Sequence, residues 1–533
     1  MFTRKKSLFQ RLSLLLLVIW LLNLLGVPNL EAVAATGDNL GDLQSTQGFR
    51  KAVTLEKIRS HQLALQKVAQ DYGGGNRLAG TAGFDKSAEY VFNQLKAAGY
   101  NPTYQEFSYL LVSDRTPSQL QQISPFGQSY VNGVDFATMS YSGSGNVTAP
   151  VYAVDLKLPS SGDSTSGCEA ADFAGFPAGA IALMQRGTCT FRVKAENARA
   201  AGASGAIIFN EGNSPDRTGL LNGTLNAPPL DYPVVGTTFA LGQFLSSYLT
   251  NGPTGVTVRL KTDTLAEVRT TSNVIAETAS GDPNSVIVVG AHLDSVSRGP
   301  GINDNGSGSA TILEIANVFA SQERPTRNKL RFIWFSAEEA GLVGSNYYVS
   351  QLSQAERNKI RLNLNFDMIG SPNYVRFVYD GDNSAFPVSG GAQPGPQGSG
   401  EIERVFVDYF KAQGFPTEPT PFNGRSDYGP FIAVGIPAGG LFSGAEGIKT
   451  AGQAATYGGS ANKPYDPCYH LACDTYDNNS NEGLDQMSDA VAHAVLYFSK
   501  RNFEKQPLIN PPARPGSGNS GGVGLDDPDP VAI

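Results

Sequence analysis

The sequence predicts an α/β fold: a mostly parallel, mixed sheet flanked by helices, with a small β-rich domain inserted into it. Three observations predict this. From about residue 266, continuous apolar runs such as Val286-Ile287-Val288-Val289 alternate with helix-period segments, the rhythm of strands buried on both faces. Before residue 110, two helix-period segments and one strand belong to the same unit. Between them, residues 111–265 lose the rhythm and become rich in Gly, Ser, Pro and Thr, with short β-like runs.

In chain order, Arg4, Lys5, Lys6 and Arg11 precede an apolar run from Leu14 to Val27, and Ala32-Val33-Ala34 supplies small residues for cleavage. Residues 1–35 therefore read as a signal peptide, with an uncleaved anchor as the alternative. No later run approaches the roughly 20 apolar residues a spanning helix requires. The expected mature chain is exported, to the periplasm or beyond, and not stably inserted in a membrane. Residues 36–110 carry a helix over about 54–70, with Leu55, Ile58, Leu65 and Ala69 on one face, and a second over about 86–98 that Gly99 stops. Tyr104–Tyr109 reads as a strand. The insert holds one helix-like segment, 193–201, leading into the strand Ala206–Phe209. The main part, 266–505, reads as strands at 285–290, 330–335 and 362–366. Its helices fall at 306–320, after Glu339, at 401–413 and at about 487–500. The tail, 506–533, is dense in Pro, Gly, Ser and Asp and is expected to be disordered.

Composition excludes some functions. The 533-residue chain is 41% hydrophobic with a formal net charge of −8, and no basic stripe follows the N-terminus, so nucleic acid is not an expected partner. Four cysteines, an even count in an exported chain, favour disulfides; Cys168 with Cys189 and Cys468 with Cys473 are possible pairs.

Chemistry-bearing residues cluster at the ends of the apolar runs. His292 and Asp294 follow the run ending at Gly290, and Asp304 sits in the loop Gly301-Ile302-Asn303-Asp304-Asn305-Gly306. Glu338 and Glu339 follow Phe332-Ile333-Trp334-Phe335. Asp367 follows Leu364-Asn365-Phe366, and His470 lies in Cys468-Tyr469-His470. Sites in open α/β sheets form beyond the carboxyl ends of the strands, so these pieces are expected to converge. Two imidazoles and three carboxylates suit a pair of zinc ions, leaving one glutamate free to carry a proton during hydrolysis. Asp294 is placed to orient His292. Each piece alone has a structural reading: a turn aspartate, a solvated helix start, a packed histidine. Only four histidines occur, and two fall in these motifs; His61 and His493 lie on predicted helices without acidic neighbours of this kind.

At these residues the chain resembles the co-catalytic two-zinc aminopeptidase family, which includes secreted leucine aminopeptidases and vacuolar aminopeptidase Y. The resemblance covers about residues 50–107 and 268–500 and extends to Gly75-Asn76-Arg77. It implies the zinc-exopeptidase fold and peptide substrates. It also implies that His292 and Asp367 bind one zinc, that Glu339 and His470 bind the other, and that Asp304 bridges them. Glu338 is then the general base and Tyr469 an oxyanion-side donor. Cys468–Cys473 becomes a disulfide holding the Tyr-His loop, and Arg425 in Asn423-Gly424-Arg425-Ser426-Asp427 a substrate contact. Phe431 and Phe442 are candidate linings of an apolar pocket, with buried packing as the alternative. Asp485 and Asp489 match part of a calcium site found in some members, with solvated helix-start acids as the alternative.

The insert resembles a protease-associated (PA) domain through Gly167-Cys168-Glu169, Arg186–Phe191 and Lys194–Ala206, including the Cys168/Cys189 pair. The resemblance leaves the insert's own partner open, and a monomer is expected. The reading is an exported aminopeptidase acting on Leu-like N-termini. Its rivals are a carboxypeptidase or glutamyl-peptide hydrolase, a receptor that has lost its ligands, or a different hydrolase or cyclase on the same scaffold.

Overall fold

A computed structural model of the chain describes residues 37–160, 162–214, 217–386 and 394–509. The leader over 1–35 and the tail beyond 509 lie outside the described residues. Two eight-stranded sheets organise what is described.

The first sheet contains β1 (Thr103–Asp114), β10 (Thr264–Glu277), β11 (Asp282–His292), β12 (Asn328–Phe335), β13 (Ile360–Phe366), β14 (Phe377–Tyr379), β15 (Glu418–Thr420) and β16 (Ala438–Phe442). Their order is β1-β10-β12-β11-β13-β16-β14-β15. The centre is parallel, β12 against β11, β11 against β13 and β13 against β16, while β1, β10 and β14 bring antiparallel pairings at the flanks. The expected mixed, mostly parallel sheet is what forms. Its central strands are apolar throughout because helices cover both faces. Val286, Ile287, Val288 and Val289 are all buried, odd and even positions alike.

One face packs on the helices Leu55–Tyr72, Ala82–Ala97, Gly306–Ser321 and Asn481–Lys500. Ile58, Leu65, Val91, Leu95, Ile312, Ile315, Val491 and Val495 join Ile287, Val289 and Trp334 in one core. At roughly 1.5–3 kcal/mol per buried large side chain, this face dominates the hydrophobic stabilisation. Thr54 caps the first of these helices, its hydroxyl accepting from the Lys57 N–H. The opposite face holds Val286, Val288, Ile333 and Phe335 under the helix Val343–Gln351 and the short turn Gly429–Ala433. Phe431 is fully buried there, in ring contact with Phe335 and Tyr348, as the packing alternative has it.

The second sheet holds β2 (Gln119–Ser124), β3 (Gln128–Ser129), β4 (Phe136–Thr138), β5 (Gly145–Ala153), β6 (Ile181–Gln185), β7 (Gly205–Phe209), β8 (Val234–Thr237) and β9 (Gly252–Thr262). The helix Phe191–Ala200 packs on it, and Cys168–Cys189 closes a disulfide beside that helix. β1 and β10 run past the expected boundaries at 110 and 266. They pair without a break from Thr103↔Ile275 to Asp114↔Thr264, so the stems of the insert belong to the first sheet. Residues 506–509 depart from the expected disorder. Arg501 grips the carbonyls of Gln506 and Pro507, Glu401 accepts the Ile509 N–H, and Leu508 packs on the main core.

Candidate metal centre

Strand ends deliver the donors. His292 is the last residue of β11, Asp367 follows β13 directly, and Glu338 and Glu339 stand just past β12. Asp304 immediately precedes the cap of the helix Gly306–Ser321, where the Asn305 side chain accepts the Gly308 N–H at 2.9 Å. The same Asn305 amide donates to the Phe366 carbonyl at 2.8 Å, so one residue ties the Asp304 loop to the Asp367 loop. His470 sits inside the loop that the Cys468–Cys473 disulfide closes.

The five residues meet. His292 Nε2 lies 3.2 Å from Asp304 Oδ1 and 3.3 Å from Asp367 Oδ1. His470 Nε2 lies 3.1 Å from Asp304 Oδ2 and 3.1 Å from Glu339 Oε2. One carboxylate thus stands between two imidazoles, each with a second carboxylate of its own. Each of the two triads keeps its donor atoms within 4.8 Å of one another, close enough to hold a cation. Glu338 Oε2 is 3.9 Å from His292 Nε2, just outside the first triad.

Burial disfavours charge on both imidazoles, yet the surrounding carboxylates prevail and raise both pKa values well above the ordinary histidine range. Asp367 and Glu338 lead at His292, Glu339 and Asp304 at His470. Burial pushes Asp304 up, but the two histidines more than offset it and hold it below the usual carboxylate range. Glu338 is raised well above that range, by burial first and then by Asp367, Asp427 and Glu339, against the pull of His292. Four carboxylates around two imidazoles leave the site short of positive charge. Glu339 Oε1 is in addition buried without a hydrogen-bond partner. Imidazole nitrogens with carboxylate oxygens are zinc's donor set, whereas an all-oxygen cage would suit calcium, so the residues present fit zinc.

Other expected residues fall around this core. Asp294 Oδ1 stands 3.7 Å from His292 Nδ1, longer than a hydrogen bond, while its two oxygens accept the Glu338 and Glu339 N–H groups at 3.2 and 3.3 Å. The Tyr469 ring stacks on His470 with centroids 3.8 Å apart, and burial first raises its phenol well above the usual range, so it stays a donor. Arg425 is exposed, its Nη1 3.9 Å from Glu446 Oε1. Asp485 and Asp489 lie apart from the centre on the last helix, and Asp489 pairs with Arg50 at 3.4 Å. His61 does acquire an acidic neighbour: the fold brings Glu314 of the helix Gly306–Ser321 to 3.4 Å, with Tyr90 OH 2.7 Å away on the other nitrogen.

Several supporting groups escaped the sequence. Asp474 accepts the N–H groups of Asn303 and Asp304 at 2.8 and 3.0 Å, and burial pushes its carboxyl up to about 8. Ser426 donates to Asp367 Oδ2 at 2.6 Å and accepts from the Asn365 amide at 2.8 Å. Asp427 is fully buried, and burial lifts it to about 7. Ser426 and Asp427 lie inside the Asn423–Asp427 motif, where only Arg425 is given a role, and Asp474 is marked only by its place beside Cys473.

The profile of Peptidase family M28 matches residues 273–495, and that of the PA domain residues 147–245. An aminopeptidase of Pseudomonas aeruginosa (strain UCBPP-PA14) is 48% identical over 453 residues, spanning 85% of this chain and 82% of the relative. This chain belongs to peptidase family M28. It is a metallo-aminopeptidase of that family and carries a PA domain within it. A probable leucine aminopeptidase 2 of Aspergillus fumigatus is 42% identical to this M28 peptidase, spanning 82% of this chain and 81% of the relative. The solved aminopeptidase of Aneurinibacillus sp. strain AM-1 superposes with a TM-score of 0.65 at 27% identity, covering 88% of this chain and 98% of its own. For BSAP, a zinc aminopeptidase from Bacillus subtilis, the TM-score is 0.59 at 27% identity, with 86% and 99% covered.

Proposed function

We propose that this M28 peptidase is an exported two-zinc enzyme that removes Leu-like residues from the N-termini of peptides. The carrying observation is Asp304, whose two oxygens face His292 Nε2 at 3.2 Å and His470 Nε2 at 3.1 Å. In this reading His292 and Asp367 hold one zinc, Glu339 and His470 the other, and Asp304 both. Zinc relatives in the same fold support the choice of metal, and relatives named leucine aminopeptidase support the preference. Two disulfides support an extracytoplasmic home, and no described helix is long and apolar enough to cross a membrane. A calcium ion near Asp485 and Asp489 belongs to the same proposal.

Bound zinc supplies Lewis acidity, which brings the ionisation of water toward neutral pH and draws electron density from the scissile carbonyl. The chain's own residues do the rest. Glu338 takes a proton from the attacking water at its carboxylate and delivers it to the nitrogen of the leaving amine. Tyr469 donates its phenol hydrogen toward the oxygen that gains charge. Arg425, at the rim, contacts the substrate chain. Asp294 fixes the backbone of Glu338 and Glu339 and so keeps the free carboxylate and the ligand carboxylate in register.

The test compares leucyl chromogenic amide with its N-acetylated form, with and without a chelator. The reading expects hydrolysis of the free amine only, abolished by chelation and restored by zinc. Equal turnover of the blocked amide, or insensitivity to chelation, would contradict it.

A further inference from the structure

Arg77 is the unexplained cation of this site. It lies in the loop after the helix Leu55–Tyr72, far in sequence from every donor, and its side chain is fully buried. Among the described residues its guanidinium pairs with no carboxylate. Nε donates to the Pro300 carbonyl at 2.7 Å, Nη2 to the Gly301 carbonyl at 2.5 Å and Nη1 to the Leu293 carbonyl. The backbone joins in: the Arg77 N–H donates to Ser295 Oγ at 2.8 Å, the Ser295 N–H donates to the Arg77 carbonyl at 3.3 Å, and Ser295 Oγ donates to the Gly299 carbonyl at 2.9 Å. Every one of these contacts falls on the segment from Leu293 to Gly301. That segment is the covalent connection between His292 and Asp304.

The two ends of the connection are thus pinned to one rigid fork. Leu293 directly follows His292, and Gly301 stands three residues before Asp304. Gly301 has φ +61°, and a Cβ there would meet the Asp304 carbonyl at 2.2 Å, so the chain has no slack at that point. From the opposite side Asp474 holds the Asn303 and Asp304 N–H groups. Burial lowers the Arg77 pKa to about 10, with Asp294, Asp474, Asp304 and Glu339 opposing that shift through space. It therefore stays charged near neutrality.

We propose that Arg77 is a positioning residue of the metal centre, which sets the separation of His292 and Asp304 by clamping the carbonyls at both ends of the loop between them. The proposal rests on the two-zinc reading. A planar fork with donors in fixed directions can hold three carbonyls at once, and a lysine ammonium cannot reproduce that arrangement. Groups that orient metal ligands without touching the metal typically contribute 10–100-fold to affinity or activity.

The experiment titrates metal-free full chain with zinc against a chromophoric chelator, for the parent, R77M, R77K and S295A. Metal-free Tm, kcat and KM are recorded beside it. The proposal expects zinc affinity to fall about 10–100-fold in R77M, with kcat falling at near-constant KM. R77K and S295A should lie between R77M and the parent. Parent-like zinc affinity in R77M with only a lower metal-free Tm would reduce Arg77 to a packing role and overturn the proposal. If R77M does not fold, R77K decides, and unchanged zinc affinity there overturns it equally. A parent chain that binds no zinc would instead sink the metal reading itself, and this proposal with it.

Discussion

At the scale of single residues, the proposed division of labour between Glu338 and Glu339 carries most of the chemistry. They are adjacent in sequence, yet Glu339 Oε2 meets His470 Nε2 at 3.1 Å, while Glu338 stands 3.9 Å from His292. Glu338→Gln is predicted to keep full zinc content and lower kcat by about 10²–10⁴. Metal analysis beside steady-state kinetics checks this, and near-parental turnover would remove Glu338 as the proton carrier. The meeting of His292, Glu339 and Asp367 was legible in the sequence because each stands at or just past the end of an apolar strand, and strand ends of an α/β sheet converge. The roles of Asp474 and Asn305 were not, because each comes from a partner contributed by a distant part of the chain. The same reason hid Glu314 beside His61. Phe431 stayed open between pocket and core because an apolar residue reads alike in both.

At the scale of elements, the short loop between Cys468 and Cys473 presents Tyr469 and His470 together. Only five positions separate the cysteines, so the bridge closes a small loop and restricts the unfolded chain modestly. Its larger effect is local. A Cys468→Ser/Cys473→Ser double variant is predicted to lose at least tenfold in zinc affinity, comparable with other losses of ligand support, while the rest of the fold persists. Zinc titration and far-ultraviolet circular dichroism would show it; unchanged zinc affinity would argue that the loop holds its shape unaided. Helix and strand positions were read from periodicity, but their ends moved. β1 extends to Asp114 because β10 pairs with its whole length, a tertiary fact that no local pattern carries.

At the scale of the whole molecule, the two sheets keep separate apolar cores. The apolar clusters of the second sheet contain no residue of the first, and the strands that lead into and out of it end opposite each other at Asp114 and Thr264. We propose that the insert is a separable domain. Replacing 115–263 by a two-residue Asn-Gly turn is predicted to leave a folded, zinc-binding peptidase that still cleaves leucyl amide. Loss of folding in that variant would show the insert to be part of the peptidase core.

His493 lies in the seam between the helices Gly37–Arg50 and Asn481–Lys500, with its Nδ1 2.8 Å from Thr46 Oγ1. Burial first, and Arg50 second, lower its pKa to about 3. The folded-state value is depressed, so the unfolded chain takes up the proton first. This contribution to stability is complete above about pH 6.5 and is lost as pH falls toward 3, by up to ~1.4 kcal/mol per unit. Denaturant unfolding of metal-free chain is predicted to lose stability more steeply between pH 6.5 and 4 in the parent than in His493→Gln. Parallel slopes would contradict it.

The most direct measurement is the zinc stoichiometry of metal-free chain, titrated beside Asp304→Asn. The account predicts two zinc ions per parent chain and no stable pair in the variant. A single ion in the parent, or two tightly held ions without the Asp304 carboxylate, would contradict the bridged centre.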